Sequence, residues 1–249
     1  MGRIIAVANH KGGVGKTTSV ANIGAALARK GKRVLLIDLD AQQNLTFFFL
    51  KDEAEASVYD ALKGEIALPI VHVKENLDII PSSIDLARAE LDLSGRIARE
   101  YILKNLLADV AGNYDYILLD CPPSLGIITY NALVAATDLY ITLTAEALPL
   151  KGLTMLEEVV GELKALNKGL GISGVFLTRY NNRNLNNIVE EEIRERYGSK
   201  VFSTKIRENI ALAEAPLING DIFTYAPDSN GARDYEALTE EIIRKYELK

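Results

Sequence analysis

From Asn9 to Thr18 the chain reads Asn-His-Lys-Gly-Gly-Val-Gly-Lys-Thr-Thr, between an apolar run at 3–9 and an amphipathic stretch at 17–30. Glycines at 12, 13 and 15 let backbone N–H groups converge on an anion with no Cβ in the way. A helix starting near Thr17 turns its positive end toward the same point. Lys16 then stands where it reaches the β and γ phosphates of a nucleotide, and the Thr17 hydroxyl where it ligates Mg2+. A strand, a glycine loop and a helix in this order commit the chain to an α/β architecture. The strict phosphate-loop pattern has glycine where His10 stands, so His10 breaks that form.

The remaining segments fit such an architecture. Strands are expected at 3–9, 33–38, 77–81, 114–120, 138–144, 172–178 and 200–204. Helices are expected at 17–30, 58–63, 85–92, 96–110, 150–166, 186–197 and 231–246. Most of the strands are runs of Val, Ile and Leu rather than alternating patterns, which suits strands covered on both faces. The fold class is therefore α/β: a mostly parallel twisted sheet with helices on both faces, of P-loop NTPase type. No long Pro-, Gly- or Ser-rich stretch divides the 249 residues, so one domain over 1–249 is expected.

Composition narrows the function classes. The longest apolar runs fall far short of the roughly 20 residues that cross a bilayer. A net charge of -6 confines any nucleic-acid site to a local patch. The lone cysteine, Cys121, has no partner for an internal disulfide, which fits a reducing cytoplasm. It also falls short of a bridging iron–sulfur cluster, so a small buried residue is expected there. His10 and His72 lack companions at metal-ligand spacing, and no zinc site is expected. Phe47, Phe48 and Phe49 stand together just after Asp40; core packing is the default for them, a nucleotide-sensitive contact surface the sharper alternative.

The segment from Lys11 through Gly12, Gly13, Val14, Gly15, Lys16 and Thr17 to Thr18 is similar to the deviant Walker A motif of the ParA/MinD family, within it the ParA/Soj-type partition ATPases. The resemblance implies that Lys11 reaches the phosphates of the partner subunit's nucleotide across a dimer, supplying charge as an arginine finger does. Val34-Leu35-Leu36-Ile37-Asp38-Leu39-Asp40-Ala41-Gln42 resembles the family's second-strand motif, with Ala41 where relatives usually carry Pro. It implies that Asp40 orients or activates the attacking water beside Mg2+. Tyr116-Ile117-Leu118-Leu119-Asp120-Cys121-Pro122-Pro123-Ser124 resembles the Walker B strand and implies that Asp120 holds Mg2+ through a water.

The resemblance continues to the C-terminal third, in Tyr180-Asn181-Asn182-Arg183-Asn184-Leu185, Glu214-Ala215-Pro216 and Gly231-Ala232. Relatives commonly carry Ile-Pro-Arg-Asn-Val-Arg where this chain has Ile206-Arg207-Glu208-Asn209-Ile210-Ala211. Asn209, near the nucleotide base in relatives, survives; Glu208 and Ala211 replace arginines, and Arg207 takes the proline position.

The resemblance implies a cytoplasmic, nucleoid-associated switch using ATP and Mg2+. It would hydrolyse ATP slowly, dimerise when ATP is bound, hold duplex DNA without sequence preference and answer to a ParB-like activator. The cations available for DNA in the C-terminal half are Arg183, Arg194, Arg196, Lys200, Lys205, Arg207 and Arg233. The first strand begins by residue 4, so no N-terminal helix-turn-helix domain of the kind larger partition ATPases carry is expected. The tail at 236–249 mixes four acidic and three basic residues, the wrong composition for a membrane-binding helix. The low charge and the missing arginines keep an alternative open, an ATPase that positions a protein assembly, as well as a metabolic ATPase or ligase.

Overall fold

The computed structural model describes residues 2–144, 150–181 and 184–247. Its elements follow one another as β1 (Arg3–Ala8), α1 (Lys16–Arg29), β2 (Val34–Asp38), α2 (Asn44–Phe49), α3 (Val58–Leu62), β3 (Val71–Lys74) and β4 (Leu77–Ile80). Then come α4 (Ala89–Asp92), α5 (Ile102–Ala108), β5 (Tyr116–Asp120), α6 (Ile127–Ala135), β6 (Asp138–Thr144) and α7 (Leu150–Leu163). The C-terminal third adds β7 (Ile172–Thr178), α8 (Asn184–Tyr197), α9 (Ala211–Glu214), α10 (Ile222–Tyr225) and α11 (Asn230–Glu247). The strands form one sheet in the order β3-β4-β2-β5-β1-β6-β7. All neighbours pair in parallel except β3 against β4.

Successive residues of a strand point to opposite faces, and two cores result. Ile4, Ala6 and Ala8 of β1 join one core with residues of α3, α5, α6, α7 and α8. Ile5 and Val7 join the other with α1, α2, α10 and α11. Strands apolar on both faces are thus what this two-sided burial requires. The expected core face of the last helix is present: Tyr235, Leu238 and Ile242 are buried, and the Tyr246 hydroxyl lies 2.7 Å from that of Tyr140.

The expected strand at 200–204 does not form. Val201 makes a single parallel bridge to Val175, and Phe202 N–H donates to the Val175 carbonyl at 2.8 Å. A 3-10 turn at Gly198–Lys200 leads into that bridge, and Phe202 turns its ring into the core beside Tyr140 and Phe176. The segment expected as one helix at 96–110 is a 3-10 turn, Arg99–Tyr101, followed by α5, and Ala98 before it is left-handed. The helix expected at 85–92 is likewise a 3-10 turn, Ile84–Arg88, running into α4. Five elements were absent from the sequence expectation, among them the four-residue helices α9 and α10. The edge strand β3 is four residues long and half exposed, and α2 follows a polar turn. Helix α6 is apolar all round, so it has no 3.6-residue stripe by which to recognise it.

Tyr140 and Gly174 face each other across β6 and β7, and a Cβ on Gly174 would lie 2.5 Å from Phe202 Cε2 and 2.9 Å from Tyr140 Cδ1. Neither ring has room to withdraw within this core. Gly174→Ala is expected to lower stability by about 1–3 kcal/mol, read as a shifted urea midpoint with an unchanged m-value.

Candidate functional site

The phosphate loop leaves β1 and enters α1 beyond the carboxyl edge of the sheet, where parallel α/β folds place their ligands. Gly13 and Gly15 have φ of 72° and 81°, left-handed values that a side chain would strain. Helix α1 starts with no side-chain cap and no acidic residue in its first turn, so its N–H donors stay available for an anion. Lys16 is buried, and its Nζ donates to the Lys11 carbonyl at 3.4 Å, which points it back into its own loop. Lys11 is exposed.

Supports for the loop come from residues that the motif reading passed over. Buried Asn9 donates to the Thr142 carbonyl at 2.7 Å and accepts from the Lys11 N–H at 2.9 Å. Thr178 donates to the Val14 carbonyl at 2.9 Å, so the end of β7 holds the middle of the loop. The Pro123 carbonyl lies 3.1 Å from His10 Nδ1, which must carry the proton there; the residue that breaks the strict pattern thus ties the loop to the chain after Asp120.

Strand register brings the acidic groups together. Asp38 pairs opposite Asp120 across β2 and β5, and Val7 pairs with Asp120 across β1 and β5. Asp38 is fully buried and accepts from Thr46 N–H at 2.8 Å, Thr46 Oγ1 at 2.7 Å and Asp40 N–H at 3.1 Å. Burial pushes its carboxyl up to about 6 against the pull of those bonds. Asp120 is equally buried, and neither carboxylate oxygen has a hydrogen-bond partner. Burial and the charge of Asp38 hold it well above the usual carboxylate range, while Thr17 and Lys16 pull the other way. An unpartnered buried carboxylate beside a loop threonine is what a hydrated divalent cation would satisfy. Asp40 is half-buried and caps the turn after β2, accepting from Gln42 N–H at 3.0 Å. Cys121 is buried, as expected.

A cavity of about 850 Å3 connects these groups to a wall formed by residues 206–210. The loop glycines, Lys16, Thr17, Thr18 and Asp40 line one end; Arg179, Asn209 and Tyr235 line the rest. Asn209 uses Oδ1 to accept from Ala211 N–H at 2.9 Å, which turns its amide hydrogens to other partners. The three phenylalanines divide: Phe48 is buried, Phe49 half-buried, and Phe47 partly exposed at the cavity wall.

The cations expected to meet DNA are mostly engaged within the chain. Lys205 is ion-paired with Glu190, and Arg194 donates to Glu190 at 2.9 Å. Arg196 pairs with Glu157, and Arg207 with Asp234. Arg233 donates to the Asp228 carbonyl at 2.7 Å, and Lys200 is exposed. Arg183 lies outside the described residues. These side chains do not form one uncompensated basic face.

An uncapped helix start behind a two-lysine glycine loop, with a buried carboxylate at the end of the neighbouring strand, defines a P-loop nucleotide hydrolase. Residues 2–172 match the AAA domain family model. The sporulation initiation inhibitor protein Soj of Bacillus subtilis is 45% identical over 97% of this chain and 98% of its own length. The chromosome-partitioning ATPase Soj of Treponema pallidum is 43% identical over 98% of each. Among solved structures, cobyrinic acid a,c-diamide synthase from Mycobacterium smegmatis, with bound ADP and magnesium, superposes with a TM-score of 0.87 at 35% identity, covering 99% of this chain and 96% of that one. The chain belongs to the ParA/Soj family of partition ATPases; it is an ATPase that uses ATP with Mg2+. Among the described residues, no helix is long and apolar enough to cross a membrane.

Asp120→Asn removes an unpartnered buried carboxyl. The ligand-free variant is expected to be more stable than wild type at neutral pH, because its neutral amide no longer repels Asp38, while the extra thermal stabilisation that Mg2+ adds to bound ATP disappears. Thermal scans with ATP, with and without Mg2+, check both halves.

Proposed function

We propose that ATP joins two copies of this chain into a dimer that holds duplex DNA without sequence preference, and that hydrolysis releases it. The observation that carries the dimer is the different placement of the two loop lysines. Buried Lys16 turns back into its own loop, where it serves the phosphates bound there, together with the N–H groups of residues 12–18. Exposed Lys11 serves the partner subunit's nucleotide, adding positive charge where the transferred phosphoryl develops negative charge. Thr17 and Asp120 hold Mg2+, with Asp40 near it; the ion's chemistry is to offset charge on the phosphates. Asp40, on the turn after β2, orients the attacking water, and Asn209 contacts the base. Hydrolysis by the lone chain is slow, and a ParB-like protein bound to DNA accelerates it.

The DNA half of the proposal rests on the partition function of the family and on Lys200 and Arg233, with Lys205 and Arg194 turning from Glu190 to phosphate. A dimer doubles the cations in one footprint, which ties affinity to ATP. One observation favours a second reading, in which the switch places a protein assembly instead: Lys205 and Arg194 share Glu190, Arg196 pairs with Glu157 and Arg207 with Asp234.

Lys11→Ala is expected to bind ATP as a monomer but not to dimerise, as measured by light scattering with a non-hydrolysable ATP analogue. Dimers at wild-type levels would remove the role across the interface. With random-sequence duplex in a gel-shift series, binding is expected with ATP and not with ADP. Six phosphate contacts would cost roughly a thousandfold in affinity between 50 and 200 mM salt. Equal binding in both nucleotide states, or none at low salt, would favour the protein-positioning reading.

A further inference from the structure

Residues 206–210 line the same cavity as the phosphate loop, so a nucleotide whose phosphates occupy the loop would have this wall available for its adenosine end. Backbone bonds tie the beginning of this wall to β7: Ile206 N–H donates to the Leu177 carbonyl at 2.8 Å, and Tyr180 N–H donates to the Ile206 carbonyl at 2.9 Å. After Glu208, whose N–H donates to the Tyr180 carbonyl at 3.1 Å, this ladder stops. Asn209 and exposed Ile210 lie beyond it, ahead of the short helix α9.

Arg207 supplies a further anchor, beside a long ion pair of Glu208 with Arg179 at 3.9 Å. Its N–H donates to Asp234 Oδ2 at 2.9 Å, its Nε lies 2.9 Å from Oδ2 and 3.1 Å from Oδ1, and its Nη2 donates to Oδ1 at 2.6 Å. A charged fork and a backbone amide thus share one carboxylate, the stronger kind of hydrogen-bonded pair. Asp234 is buried on α11, so the pair is shielded at its acidic end. The next residue, Tyr235, is fully buried, and its hydroxyl lies 3.0 Å from Ser19 Oγ on α1, the helix that carries the phosphate loop. Gly231, in the first turn of α11, has Leu212 of α9 against it: a Cβ there would come within 2.8 Å of Leu212 Cγ. One turn of α11 therefore touches both the phosphate-loop helix and the wall.

We propose that Arg207 and Asp234 form a positioning clamp for the nucleotide. It holds the wall at a set distance from the phosphate loop and so governs affinity for the adenosine part of ATP. Arg207 thereby belongs to the nucleotide site and not to a DNA surface. The clamp rests on the cavity's being the ATP site, with the base toward residues 206–210.

Calorimetric titrations with Mg·ATP and with Mg·tripolyphosphate, which has phosphates and no adenosine, separate the two ideas. Wild type should bind ATP more tightly than tripolyphosphate. In Arg207→Ala the ATP dissociation constant should rise about tenfold, the value for losing hydrogen bonds to a charged group, with tripolyphosphate affinity unchanged. Asp234→Asn should follow the same pattern more weakly, and Arg207→Lys should recover part of the loss by restoring the charge without the fork. If wild type binds ATP no better than tripolyphosphate, the base does not lie on this wall and the site reading fails. If wild type discriminates but Arg207→Ala binds ATP normally, or loses tripolyphosphate equally, the clamp is overturned while the site reading stands.

Discussion

Asp38 and Asp120 lie side by side at the carboxyl ends of adjacent parallel strands, both shut off from water. Two carboxyls in that position repel one another and lack solvation, and burial drives both toward their protonated forms. The arrangement is tolerable for Asp38 because two backbone N–H groups and the Thr46 hydroxyl complete its shell. Asp120 has no such shell, and Lys16 and Thr17 are the groups that favour its charge. A divalent cation and a polyphosphate bound at this site would offset the electrostatic cost. Much around it serves to keep these groups in place: Thr46 ties α2 to Asp38 and also accepts from Ser82 N–H, linking the loops after β2 and β4.

The phosphate loop is held from several directions at once. Asn9 anchors its start to β6, Thr178 its centre to β7, and His10 its outer edge to the segment after β5. Each contact uses a carbonyl or a side chain and leaves the glycine N–H groups to face the cavity. A loop this braced has little conformational entropy left to lose on binding. The wall at 206–210 is tied by backbone bonds only as far as Glu208, and the Arg207–Asp234 pair joins it to α11.

The C-terminal half shows how charge counts mislead when geometry is unknown. Arg194, Arg196, Lys205 and Arg207 read as a basic cluster along the chain, yet each meets a carboxylate in the fold. The Arg196–Glu157 pair is open to solvent on both sides, and such pairs are weak, on the order of 1 kcal/mol or less, so Arg196 can exchange its partner for a phosphate at little cost. Arg207 is different: the carboxylate of Asp234 is buried, and removing its partner would leave it without compensation.

Local order in the chain was enough to establish the parallel sheet and the phosphate loop. Apolar strand runs, left-handed glycines and a helix start are properties of neighbouring residues, and they need no distant contact to be recognised. Burial of Cys121 and the apolar face of α11 were legible for the same reason. The tertiary structure alone decided what depends on residues far apart in sequence. It placed Asp38 opposite Asp120, gave Asn9 and Thr178 to the loop, and paired Arg207 with the buried carboxylate of Asp234. It also reduced the expected strand at 200–204 to one bridge, because the Phe202 ring packs against Tyr140 and Phe176 in the core. Strand register and ion pairing are set by which elements the fold brings side by side, and no local pattern encodes that choice.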